Sequence, residues 1–126
     1  MRFAIHRKFH KTPLALSLFV LTVLLAALAF AHSTPVSMVP AKDSTVSARA
    51  NVTVHFSEAM EPKMSSLTLA DAAGAVVSKD PSVVAADGKV MTLPLPALGA
   101  GVYTVNWVTV ALDAHKAQGK YNFTIK

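Results

Sequence analysis

From residue 32 to its last residue, this 126-residue chain alternates apolar and polar side chains with a period of two and shows no sustained period of 3.6. In Asn51–Phe56, Val52, Val54 and Phe56 alternate with Thr53 and His55; in Ser66–Ala70, Leu67 and Leu69 alternate with Ser66 and Thr68. Over Gly101–Val110, Tyr103, Val105 and Trp107 lie on one face, and Val102, Thr104, Asn106 and Val108 on the other. At 120–126, Tyr121, Phe123 and Ile125 share a face against Asn122 and Thr124. β-Branched and aromatic residues suit a pleated, half-buried surface, so each stretch predicts a strand. Breakers stand between them at 40–44, 61–63, Ala73-Gly74, Asp80-Pro81, Asp87-Gly88 and 96–101. Asp87-Gly88 predicts a hairpin, because glycine accepts the positive φ such a turn needs. The stretch 111–114 is too short for a helix. Short strands with turns at this spacing predict an all-β sandwich or small barrel.

Before residue 32 the pattern is different. Arg2, Arg7, Lys8 and Lys11 occur with no acid, then an apolar run covers 14–31, broken only by Ser17 and Thr22 and ending in Ala29-Phe30-Ala31. Basic, apolar and small-x-small segments in that order predict a secretory signal peptide at residues 1–31, with a mature domain at 32–126. A retained membrane anchor is the rival, since the run approaches the length needed to span a bilayer. With cleavage, no stable membrane insertion is expected. The net charge of +5 belongs mostly to this segment: of 12 Lys and Arg, eight remain after it against seven Asp and Glu, a net of +1. Without a basic patch, nucleic acid is excluded as the expected partner. There are no cysteines, which removes disulfides and thiolate metal sites from consideration.

The remaining chemistry lies in His32, His55 and His115. Cleavage after Ala31 would make His32 the first residue, with a free α-amine and an imidazole able to chelate one metal together as a histidine brace. An α-amine yields its proton far more readily than a lysine ammonium, which opens it to metal near neutral pH. Cleavage after Ala29 would leave Phe30 first and no brace. The second half of the expected site is Asp113-Ala114-His115, whose carboxylate and imidazole share a side if the backbone is extended. Three nitrogens and one oxygen suit tetragonal Cu(II), with Zn(II) a weaker occupant. A lone Asp-x-His is common on surfaces; its conjunction with a processed histidine on a cysteine-free β domain points to metal. His55 is expected to be a structural or surface residue.

Residues 32–126 resemble the CopC family of periplasmic copper-resistance proteins. The likeness rests on His32, the segment PVSMVPAKD at 35–43, Val54-His55-Phe56-Ser57-Glu58, Gly101-Val102-Tyr103-Thr104-Val105-Asn106-Trp107, Asp113-Ala114-His115 and the stretch 119–123. It implies an immunoglobulin-like Greek-key sandwich or barrel near the cupredoxins, in the periplasm. It implies one Cu(II) per chain on His32, Asp113 and His115, with Glu58 near the ion or an ordinary loop acid. The family usually has glycine where Ala114 stands and proline where Lys116 stands. Some members have a Met-rich loop for Cu(I); here 60–77 offers only Met60 and Met64, so no Cu(I) site is expected and both methionines are read as core or rim. The implied role is a copper carrier, not an enzyme, with a CopD-like inner-membrane transporter as partner. The alternatives are a histidine-brace copper oxidase or monooxygenase, and a metal-free immunoglobulin-like structural domain.

Overall fold

The stretches that alternate with period two do form strands. The structure, a computed structural model, describes residues 32–126, and the expected signal at 1–31 lies outside the described residues. Eight strands follow one another: β1 (Pro35–Val39), β2 (Thr45–Val46), β3 (Asn51–Phe56), β4 (Ser66–Ala70), β5 (Val83–Val84), β6 (Val90–Pro94), β7 (Gly101–Val110) and β8 (Lys116–Ile125). They build two four-stranded sheets in the orders β1-β3-β6-β5 and β2-β8-β7-β4. Successive strands cross repeatedly between the sheets, the connectivity of a Greek-key sandwich. Pairing is antiparallel except where β2 lies parallel to β8. Among the described residues there is no helix, and so none able to cross a membrane.

The inward positions are the ones the alternation marks. Val52, Val54 and Phe56 from β3 meet Met91 and Leu93 from β6; the other wall supplies Leu67, Leu69, Tyr103, Val105, Tyr121, Phe123 and Ile125. Each such fully buried aliphatic or aromatic side chain contributes roughly 1.5–3 kcal/mol of transfer free energy. Met60 joins this core at 1% exposure, whereas Met64 is 63% exposed. Asp87-Gly88 lies in the β5–β6 hairpin, with Gly88 at φ +73°. A side chain there would also crowd Ala59, because a Cβ would fall 3.2 Å from the Ala59 Cβ.

The last strand differs from expectation. β8 begins at Lys116 rather than near 120, because its ladder with β7 runs unbroken from Gly101↔Ile125 to Val110↔Lys116. The Lys-Ala-Gln-Gly segment is extended by pairing, not by its own pattern. Gly119 is opposite Trp107, and the indole lies over its backbone: a Cβ at Gly119 would sit 2.5 Å from Trp107 Cζ2. Trp107 meets Phe56 edge-on at 5.9 Å, so this seat fixes an aromatic bridge between the sheets. Gly119→Ala is expected to cost about 1–3 kcal/mol in urea unfolding and to shift the emission of the single tryptophan.

Two inward tyrosines end differently. Tyr103 Oη donates to the Gly99 carbonyl at 2.8 Å. Tyr121 Oη is buried with no hydrogen-bond partner among the described residues, and burial pushes its phenol well above the ordinary tyrosine range. Since an unpaired buried hydroxyl carries its full desolvation cost, Tyr121→Phe is expected to raise the unfolding free energy by about 1 kcal/mol. Tyr103→Phe is expected to lower it by about the same amount, both read from urea midpoints.

Candidate metal centre

The site grows from the β7–β8 hairpin. Beyond the last ladder pair, Val110↔Lys116, the Ala111 N–H donates to the His115 carbonyl at 2.9 Å and the Ala114 N–H to the Ala111 carbonyl at 2.9 Å. Ala114 adopts φ +70°. This is a three-residue hairpin loop, a tight turn followed by one left-handed residue. Its base is tied down by the Glu61 N–H, which donates to the Val110 carbonyl at 2.8 Å, and by the Met60↔Ala111 bridge.

Asp113 and His115 come together, but not as extended neighbours. Asp113 is in the turn, where its Oδ1 accepts the His115 backbone N–H at 3.1 Å and its Oδ2 lies 2.9 Å from His115 Nδ1. The expectation of strand-like i, i+2 alternation is therefore corrected: the carboxylate folds back over the next peptide, as aspartate does in Asx turns. Hydrogen bonding from the His115 side chain, then from its backbone N–H, holds the Asp113 carboxyl below the usual aspartate value. Both side chains are about half exposed, at 54% for His115 and 51% for Asp113.

His32 reaches this loop from the other end of the described chain. Its ring centroid lies 5.7 Å from that of His115, edge-on at 66°. Its backbone is held by the residue after β3, since Ser57 Oγ donates to the His32 carbonyl at 3.3 Å and accepts the Thr34 N–H at 3.1 Å. The Ser57 N–H donates in turn to the Thr34 carbonyl at 2.9 Å. Glu58 has an exposed side chain, and its carbonyl accepts Ser33 Oγ at 2.8 Å. His55 is exposed on β3, opposite Ser37 and Val90.

Among the described residues, no three His, Cys, Asp or Glu side chains are gathered closely enough to hold a metal by themselves. Asp113 and His115 are engaged with each other, and His32 approaches only through its ring. Were the chain cut after Ala31, the His32 α-amine would add a main-chain nitrogen to these side chains. The 5.7 Å ring separation leaves room for an ion bonded to one nitrogen of each ring at about 2 Å. Imidazole and carboxylate donors fit Cu(II) or Zn(II).

Sequence reasoning missed Ser33, Ser57 and Thr109. Thr109 had a readable signal: it continues the face of Tyr103, Val105 and Trp107, so its hydroxyl points inward and must find a partner. Ser33 had none, because its burial depends on a fold that closes around it.

The CopC domain profile matches residues 35–126. The chain belongs to the CopC family. Copper resistance protein C of Pseudomonas syringae pv. tomato is 35% identical over 117 residues, covering 87% of this chain and 93% of that protein. The crystal structure of CopC from Methylosinus trichosporium OB3b superposes with a TM-score of 0.71 at 31% identity, covering 75% of this chain and 94% of the other. PcoC, a methionine-rich copper resistance protein from Escherichia coli, gives a TM-score of 0.65 at 34% identity, covering 76% and 100%. The domain match starts at Pro35, so it does not reach His32.

Ala114 stands where the CopC resemblance implies glycine, and the hairpin explains the preference. A left-handed L-residue costs roughly 1–2 kcal/mol that glycine avoids, less glycine's own entropy. Ala114→Gly is accordingly expected to raise stability by about 0.5–1 kcal/mol, measured as a higher urea midpoint, with the fold unchanged.

Proposed function

We propose that this CopC-family protein is exported, loses residues 1–31, and carries one Cu(II) in the periplasm. The ion is held by the α-amine and imidazole of His32, the imidazole of His115 and the carboxylate of Asp113, with Glu58 beside them. The observation that carries this reading is the approach of the His32 ring to within 5.7 Å of the His115 ring, which is itself paired with Asp113. The family relatives named for copper resistance support copper as the ion. The donor set supports the cupric state, since it has nitrogen and oxygen donors while Met60 is buried in the core.

In this reading copper is cargo. Each donor has a distinct part: the first residue chelates through two nitrogens, His115 closes the opposite side, and the ionised Asp113 offsets cupric charge. Asp113 also fixes the His115 ring through Nδ1, as carboxylates do for metal-binding imidazoles. The exposed ligands let a recipient's donors reach the ion before the first ones let go. Such stepwise exchange suits delivery to a membrane transporter of the CopD kind.

The test is a Cu(II) titration of protein exported from the full-length gene, its first residue established by N-terminal sequencing. One equivalent is expected to bind and to raise thermal stability, by about 2.7 kcal/mol at a free concentration one hundred times Kd. Extending the chain before His32 or substituting His115→Ala is expected to weaken binding at least about tenfold, 1.4 kcal/mol. A secreted product that starts elsewhere, or equal affinity in native and extended forms, would sink the assignment.

A further inference from the structure

The segment that follows His32 is anchored in an unusual way for its position. In the processed protein proposed above, Ser33 would be the second residue, where chains tend to fray, yet it is fully buried at 0% exposure. So is Thr109, also at 0%. Thr109 Oγ1 donates to the Ser33 carbonyl at 2.8 Å, and Ser33 Oγ donates to the Glu58 carbonyl at 2.8 Å. One short peptide is thereby fastened to β7 of one sheet and to the segment leaving β3 of the other. Hydroxyls without partners would be costly in this place, and both have found backbone acceptors.

Both residues are buried and each hydroxyl is spent on a backbone carbonyl, so the pair does no chemistry of its own. What it fixes is geometry. Ser33 is one peptide from His32, and Thr109 is on the strand that runs directly into the loop bearing Asp113 and His115. The Thr109–Ser33 bond thus joins the residue next to His32 to the strand that ends at Val110, just before Asp113-Ala114-His115. Ser57, which binds the His32 carbonyl and the Thr34 N–H, limits rotation of the same peptide from the exposed side.

We infer that Thr109 and Ser33 are positioning residues, a buried clasp that sets the reach of the His32 amine and imidazole toward His115. The inference rests on the Cu(II) reading above and adds to it the residues that hold the first ligand in place. Without the clasp, His32 would still chelate through its own two nitrogens, but it would no longer meet His115 in one fixed arrangement.

The experiment uses the exported, processed protein and its Thr109→Val and Thr109→Ser variants. Valine keeps the shape of threonine and removes the donor; serine keeps the donor. Cu(II) affinity is measured by competition with a chelator, and coordination by electron paramagnetic resonance. Hydrogen exchange at the Thr34 and Ser57 amides follows the clasp in the metal-free protein. Thr109→Val is expected to bind Cu(II) about tenfold more weakly, to give more than one cupric signal, and to lose amide protection. Thr109→Ser is expected to restore all three. Tyr103→Phe, which gives up a buried hydrogen bond far along β7, is expected to lower thermal stability while keeping the wild-type affinity and spectrum. If Thr109→Val fails to fold, Ser33→Ala takes its place, removing the Ser33 Oγ bond to the Glu58 carbonyl and keeping the Thr109 bond. It is expected to weaken Cu(II) binding and amide protection in the same direction by a smaller factor, and wild-type behaviour in it would overturn the clasp. Wild-type affinity and a single wild-type signal in Thr109→Val would overturn the clasp and leave the copper reading standing. No cupric binding by the wild type would overturn both.

Discussion

The ten-rung ladder between β7 and β8 is the constraint on which the other features depend. Its inward face supplies Tyr103, Val105, Tyr121 and Phe123 to the core. Farther along, Gly119 makes room for Trp107, which leans on Phe56 across the sandwich. Thr109 then takes up the Ser33 carbonyl, and the strand turns into the loop of Asp113 and His115. All of this follows from one register. A slip of one residue would turn Thr109 outward, bring a side chain opposite the indole and reverse the core face.

The proposed metal centre trades burial for access. Asp113 and His115 are half exposed, so water screens their charges and little of their interaction is amplified by a low dielectric. Strength must come from chelation and from ligands already in place. The loop provides part of this, since Asp113 is braced by both the ring and the backbone N–H of His115. In the clasp inferred above, the buried hydroxyls would provide the rest by restraining the peptide of His32. Rigid support under an exposed donor set suits the carrier role proposed for this protein.

Much of this was legible in the residues. Period-two alternation marked β3, β4 and β7 with their bounds, and it separated inward Leu67 and Val105 from outward Ser66 and Thr104, because one face of each strand meets a core. β1 was hidden because it is an edge strand with Val36 and Val39 exposed. The start of β8 was hidden because Lys116 to Gly119 is extended only through β7. At the site, residue types pointed to His32, Asp113 and His115, but their geometry was misread: the turn depends on Ala114 taking a left-handed conformation, which its identity does not advertise. Ser33 was illegible in principle, since a small polar residue outside any strand has no local mark of burial.

The clasp spans 76 residues of sequence. Bringing such distant segments together carries a loop entropy that only the completed sandwich can offset, so this contact belongs to the end of folding rather than its beginning. Newly made or partly opened chains would then display the Asp113–His115 pair without its third corner, an assembly no better than chance surface polarity. On the proposed Cu(II) reading, selective capture would then be a property of finished molecules, and proofreading of the fold would be built into the cargo's choice of host.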